Sequence, residues 1–126
     1  MLDMSATLIH HGHIRLLKKA KNYFENTHVH LVVGLTTDEQ IKKHKGYNPE
    51  LSFKHRKEIL NSIDYVDEVV PTNWLITNEL LAKHKIDYLF HGSDNNNTVD
   101  NIILLPRTKG VSSEDLRKKV VHSIVD

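Results

Sequence analysis

Cysteine is absent from the 126 residues, which removes disulfide frameworks, thiolate metal sites and thiol nucleophiles together. This fits a reducing compartment without establishing one. An excess of either charge is also missing. Seventeen basic residues face 16 acidic ones, for a net charge of +1 with histidine neutral, and the two signs are interspersed. A nucleic-acid-binding face is not expected from such a pattern. Lys42, Lys43 and Lys45 make the only dense basic cluster beyond the first predicted helix, and a solvated helix C-terminus accounts for them. No apolar run approaches the roughly 18 residues of a membrane span, and Met1-Leu2-Asp3 does not open a secretory signal. The expectation is a soluble cytoplasmic protein with no membrane partner. Internal repeats and low-complexity tails are lacking too, and the length suits a single domain over residues 1–126.

What the chain does have is histidine, ten in all, three of them in Thr7-Leu8-Ile9-His10-His11-Gly12-His13. This stretch leads into an amphipathic pattern with Lys18, Lys19 and Lys21. Glycine at a helix start lets a ligand approach the backbone closely. The first-turn amides and the helix dipole favour an anion, and imidazoles add donors to phosphate oxygens. Two solvated histidines, or half of a metal site, would give the same letters. Zinc is the weaker reading, because H-E-x-x-H is absent and no third ligand sits at a telling spacing.

Apolar residues at Ile14, Leu16, Leu17, Ala20, Tyr23 and Phe24 predict a helix over 14–24, and the dense run Val29 to Leu35 predicts a buried parallel strand. Thr36-Thr37-Asp38-Glu39 caps a short helix reaching about His44, which Gly46-Tyr47-Asn48-Pro49 breaks. Ser52 opens another helix, with Phe53, Ile59, Leu60 and Ile63 on one face. Val66 to Val70 reads as a strand ended by Pro71, Thr77 to His84 as a helix, and Tyr88-Leu89-Phe90 and Ile102 to Leu105 as strands. Ser112 starts a last helix carrying Leu116, Val120, Val121 and Ile124. Strands alternating with helices predict a parallel α/β sheet wound right-handedly. Ligands collect beyond the carboxyl ends of such strands. The His10 to His13 turn, Thr36-Thr37, Gly92-Ser93-Asp94 and the stretch Arg107 to Ser113 should therefore meet at one sheet edge.

H-x-G-H at His10, Gly12 and His13, combined with Arg107-Thr108-Lys109-Gly110-Val111-Ser112-Ser113, resembles the two signature motifs of the small cytidylyltransferases typified by glycerol-3-phosphate cytidylyltransferase. The resemblance runs through Val33-Gly34, Lys45-Gly46, His55-Arg56-Lys57, Tyr65 to Val69 and Gly92-Ser93-Asp94, nearly the whole chain. It implies a Rossmann-like fold of nucleotidylyltransferase type, a parallel sheet flanked by helices. The implied reaction moves a cytidylyl group from CTP to a small phosphate- or phosphonate-bearing acceptor, such as glycerol 3-phosphate, and releases pyrophosphate. An acceptor phosphate is already an anionic nucleophile, so alignment and charge stabilisation would carry the catalysis.

On this resemblance His10, His13, Lys45 and Arg107 are the catalytic candidates. Ser5, Ala6, Gly12, His13, Gly92, Asp94, Arg107, Gly110, Ser112 and Ser113 would hold the nucleotide, and Lys45, Arg56 and Trp74 would face the acceptor. Several have a plainer reading: Ser112 as a helix cap, Lys45 as a solvated loop lysine, Arg56 as an internal salt-bridge anchor, Asp94 as a turn former, and Trp74 as a core or interface anchor. No protein metal site is implied. Mg²⁺ is expected with the CTP phosphates, and a homodimer is implied, using the edge around the first motif's helix and the Pro71 to Trp74 loop.

The chain departs from the pattern twice. Thr7 stands where the family usually carries an aspartate, three residues before His10, and only Met1-Leu2-Asp3 precede Met4 where a full strand is usual. A shortened central strand should expose neighbouring backbone and lower stability. Two competing functions follow: a nucleotide-binding or assembly subunit without turnover, and adenylyl transfer. Met4-Ser5-Ala6 leans toward the branch that serves surface-polysaccharide or phosphonate precursors.

Overall fold

The computed structural model describes residues 1–92, 97 and 99–125. Five strands, β1 (Leu2–Met4), β2 (Val32–Thr36), β3 (Glu68–Thr72), β4 (Leu89–Gly92) and β5 (Ile102–Leu105), alternate with helices α1 (His11–Lys21), α2 (Asp38–Lys45), α3 (Phe53–Asn61), α4 (Asn78–Lys83) and α5 (Ser113–Val125). All strand pairs are parallel and the order is β3-β2-β1-β4-β5, the Rossmann-like sheet the sequence implied.

Alternation along the strands divides the interior in two. Leu2, Val33, Leu35, Val69 and Phe90 join Leu17, Ala20 and Leu60 of α1 and α3. Met1, Val32, Val70 and Leu89 join Ile76 and Leu81 on the other side. Chain direction through the sheet reverses between β1 and β4, so the crevice beyond their carboxyl ends is the place for a ligand.

The short β1 is better housed than its length suggested. All three residues are buried, each pairs with one of Val33, Gly34 and Leu35 of β2, and Leu2 pairs with Phe90 on the other flank. The Met1 carbonyl accepts from Phe90 N at 2.7 Å, so the expected exposure of neighbouring backbone is largely avoided.

Three boundaries differ from expectation for local reasons. α1 starts at His11, three residues early, because His10 caps it. β2 begins at Val32 rather than Val29. β3 continues through Pro71 and Thr72, registered with Leu35 and Thr36; it is an edge strand, where a proline without an N–H loses no ladder bond. Val120, Val121 and Ile124 of α5 are exposed, at 53 to 76%.

Candidate active site

The His10 to His13 turn is wired by its own rings. Gly12 N donates to His10 Nδ1 at 3.0 Å, and His10 N donates to His13 Nδ1 at 3.1 Å, a reciprocal cap at the start of α1. Because both Nδ1 atoms accept, each neutral ring carries its proton on Nε2. Burial, then the neighbouring His11, lowers the His10 pKa. Burial also pushes His13 down, to about 3, helped by His10 and Arg107. Both imidazoles are therefore neutral donors at physiological pH. The Gly12 amide, expected to meet phosphate directly, is instead used by the His10 ring. A Cβ at Gly12 would lie 2.8 Å from His10 Cε1 and 3.2 Å from Val111 Cγ1, so only glycine admits this packing.

The second motif packs beside the first. Ser112 Oγ accepts from Asp115 N at 3.0 Å, which is the helix cap of the plainer reading. Ser113 Oγ donates to Leu8 O at 2.8 Å and accepts from Leu8 N at 3.1 Å, fastening the start of α5 to the loop before His10. Arg107 lies across Gly92, where a Cβ would sit 2.5 Å from its Nε and 3.0 Å from its Nη2. Lys19 Nζ donates to Pro106 O at 3.1 Å, tethering the Arg107 segment to α1. Lys19 and Lys21 of α1 thus act away from the cleft: Lys21 pairs with Asp67 and donates to Val29 O.

Together these elements enclose a cleft of about 580 Å³, within the usual size of a small-molecule site. Ser5, Ala6, His10, Gly12, His13, Lys45, Trp74, Gly92, Arg107, Ser112 and Ser113 all line it. Ala6 holds φ +46°, a left-handed conformation unusual for a residue with a side chain. Gly110 does not line the cleft and instead turns the chain into Val111 with φ +81°. Asp94 and Ser93 lie outside the described residues. Thr36 and Gly92 line the cleft as the sheet-edge rule predicted, while Thr37 caps α2 through Gln40 N.

Arg56 is corrected from acceptor ligand to internal anchor. It is fully buried, donating from Nη1 to Ser5 O at 2.7 Å and Thr36 O at 2.8 Å, from Nε to Leu51 O at 2.9 Å, and from Nη2 to Asp38 Oδ1 at 2.6 Å. Burial lowers its pKa while Asp38 opposes that shift. Two of its bonds fix strand-end carbonyls beneath the cleft, so its influence on a ligand passes through Ser5 and Thr36.

A pair not singled out from sequence sits on the cleft floor. Asp3 Oδ1 meets His91 Nδ1 at 2.5 Å, with side chains 7% and 16% exposed, bridging the ends of β1 and β4. An ionisable residue just before the loop of a parallel strand is the signal that would have found them. Thr7, the departure from the family aspartate, is buried, and its Oγ1 accepts from Arg117 Nη2 at 3.3 Å. Arg117 is itself clamped by both Glu50 oxygens, at 2.5 and 2.7 Å, which lowers the Glu50 pKa chiefly through that hydrogen bond. α5 is thereby strapped to the loop between α2 and α3.

Comparison with known proteins agrees with this geometry. A sequence model described as cytidylyltransferase-like matches residues 5–119. The chain is 40% identical to the glycerol-3-phosphate cytidylyltransferase of Bacillus spizizenii over 119 residues, covering 88% of each chain. It is 38% identical to a probable choline-phosphate cytidylyltransferase of Schizosaccharomyces pombe, covering 91% of this chain and 34% of that one. With the mouse ethanolamine-phosphate cytidylyltransferase it shares 36%, over 86% and 29%. In three dimensions it is similar, with a TM-score of 0.72 at 18% identity, to a structure titled as the lipopolysaccharide core biosynthesis protein of Thermoplasma volcanium, covering 86% of this chain and 96% of that one. At that identity the likeness speaks for the fold alone.

Proposed function

This chain belongs to the cytidylyltransferase-like family, and from that premise we propose that it transfers a cytidylyl group from CTP to a small phosphorylated alcohol or phosphonate. One observation carries the reading: two neutral imidazoles, both presenting Nε2–H, share a single cleft with Arg107 and the Ser112–Ser113 helix start. An acceptor phosphate oxygen attacks the α-phosphorus of CTP, a new P–O bond forms, and the bond to the β-phosphate breaks with pyrophosphate leaving. No base is needed. His10 and His13 donate from Nε2 to α-phosphate oxygens as they gain charge. Arg107 offers a planar fork to the leaving phosphates. Lys45, which lines the same cleft beside Trp74, meets the incoming acceptor phosphate.

Among the described residues no three histidine, aspartate or glutamate side chains converge as a metal cage. A divalent ion such as Mg²⁺ would therefore enter held mainly by the triphosphate, whose charge it neutralises. No helix among the described residues is long and apolar enough to cross a membrane. The exposed Val120, Val121 and Ile124 favour pairing of two copies, which sedimentation would read directly.

The test is pyrophosphate release from CTP or ATP with glycerol 3-phosphate, choline phosphate, ethanolamine phosphate and a phosphonate. Turnover with CTP and one acceptor, lost at least a hundredfold in His13→Ala with its circular dichroism unchanged, is the expected result. Tight CTP binding without release for any acceptor would favour the non-catalytic reading that Thr7 suggests, and a preference for ATP would replace the nucleotide assignment.

A further inference from the structure

The C-terminal turn of α2 does more than carry Lys45 to the rim. Gln40 and His44, four residues apart and so on one helical face, both reach the loop between β3 and α4. Trp74 N donates to Gln40 Oε1 at 3.1 Å. The His44 ring stacks on the indole with centroids 5.1 Å apart and planes 13° from parallel. Lys45 Nζ lies 5.7 Å from the centre of that indole. The far end of the loop is tied down independently, because Ile76 N donates to Asn97 Oδ1 at 2.7 Å. Of the three α2 residues only Lys45 lines the cleft, together with Trp74. Gln40 and His44 stand behind them.

We propose that His44 is a positioning residue for the acceptor subsite, its ring setting the Trp74 indole so that indole and Lys45 form one wall. The proposal rests on Trp74 and Lys45 facing the acceptor, as in the function proposed above. Stacking fixes the indole plane where a single backbone bond to Gln40 would leave it free to rotate. The Lys45 ammonium is shared between the ring face and any phosphate that enters, so a bound phosphate draws the cation from the indole and alters its environment. Removing the His44 ring therefore weakens acceptor capture and leaves the nucleotide wall of His10, His13, Arg107 and Ser113 as it was.

Trp74 is the chain's single tryptophan, so tryptophan emission reports this wall alone. The experiment compares wild type, His44→Ala and His44→Phe by steady-state kinetics with CTP and the best acceptor of the panel, and by emission during titration with inorganic phosphate. In His44→Ala the acceptor KM should rise roughly three- to tenfold, the size of an aromatic stacking contribution, with kcat and the CTP KM within about twofold of wild type. His44→Phe, which keeps a stacking ring without its nitrogens, should restore the KM. Phosphate should shift wild-type emission saturably and do so with the same three- to tenfold weaker affinity in His44→Ala. Unchanged acceptor KM and phosphate affinity in His44→Ala would overturn the proposal. So would a wild-type emission blind to phosphate, or equal losses in both substrates' KM. If no acceptor supports turnover, the function above fails and the phosphate titration still decides this one.

Discussion

Arg56→Met tests whether the guanidinium under the cleft is structural. The substitution keeps much of the buried volume and removes every donor. It leaves the Ser5 and Thr36 carbonyls, now served at 2.7 and 2.8 Å, without partners at the carboxyl ends of two strands. An orphaned buried acceptor costs about 1–3 kcal/mol. The ion pair adds little, since Asp38 is 44% exposed and half-solvated pairs contribute about 1 kcal/mol or less. Relief of the arginine's own desolvation offsets part of the loss. The sum is a destabilisation of roughly 3–5 kcal/mol, the usual penalty for breaking a buried charged network. Against a total of about 5–15 kcal/mol for a domain this is a large fraction. With a urea slope of about 1.5 kcal/mol/M the midpoint should fall by about 2–3 M. Asp38→Asn, which removes only the exposed partner's charge, should move it by less than about 1 M. Urea melts followed by far-ultraviolet circular dichroism measure both. If Arg56→Met unfolds within about 1 kcal/mol of wild type and raises only the acceptor KM, the guanidinium belongs to the substrate and the assignment as an anchor is wrong.

Two further outcomes follow from the same walls. The unfolded chain protonates His13 near its ordinary 6.5 while the folded chain resists until about 3, so below 6.5 the unfolded state holds more protons and stability falls with pH. Between about pH 6.5 and 5 this single site should remove about 1–2 kcal/mol, read as a difference in urea midpoint between wild type and His13→Gln; equal pH slopes for the two would contradict the buried neutral ring. Gly92→Ala places a methyl 2.5 Å from Arg107 Nε, so turnover should drop tenfold or more through a displaced guanidinium, with unfolding free energy changed by no more than about 1 kcal/mol. Full activity in Gly92→Ala would show that Arg107 works from another position.

Periodicity located every element that packs through a repeating apolar face, because burial against the sheet imposes the repeat. It misplaced the ends where one side chain or one neighbour decides. α1 gained three residues from the His10 ring acting as cap, a role for which serine, threonine and aspartate are the usual signals. β3 ran past Pro71 because only an edge position tolerates that residue, and edge or centre is a property of the whole sheet. The shortness of β1 was legible, but its burial was not, since the ladder partners that bury it lie about thirty and ninety residues away in the chain.

The site was legible where chemistry is written locally and obscure where it depends on the direction of a side chain. H-x-G-H announced two imidazoles at a helix start, yet the letters do not say that each Nδ1 is spent on backbone, which fixes the donor at Nε2, nor that burial keeps both rings neutral. Arg56 sat in a run shared with the family, but a run cannot distinguish a cation facing the ligand from one facing the strand ends, and here all its bonds go inward. Asp3 and His91 were invisible for the converse reason: each is ordinary in its own stretch, and only the adjacency of β1 and β4 makes them a pair. The cleft is consequently more nearly neutral than its lysines and arginines suggested. The His10 and His13 rings are neutral, Arg56 is turned away and matched by Asp38, and Asp3 is hydrogen-bonded to His91. Arg107 and Lys45 both line the cleft, and in the proposed reaction the first would meet the leaving pyrophosphate and the second the incoming phosphate.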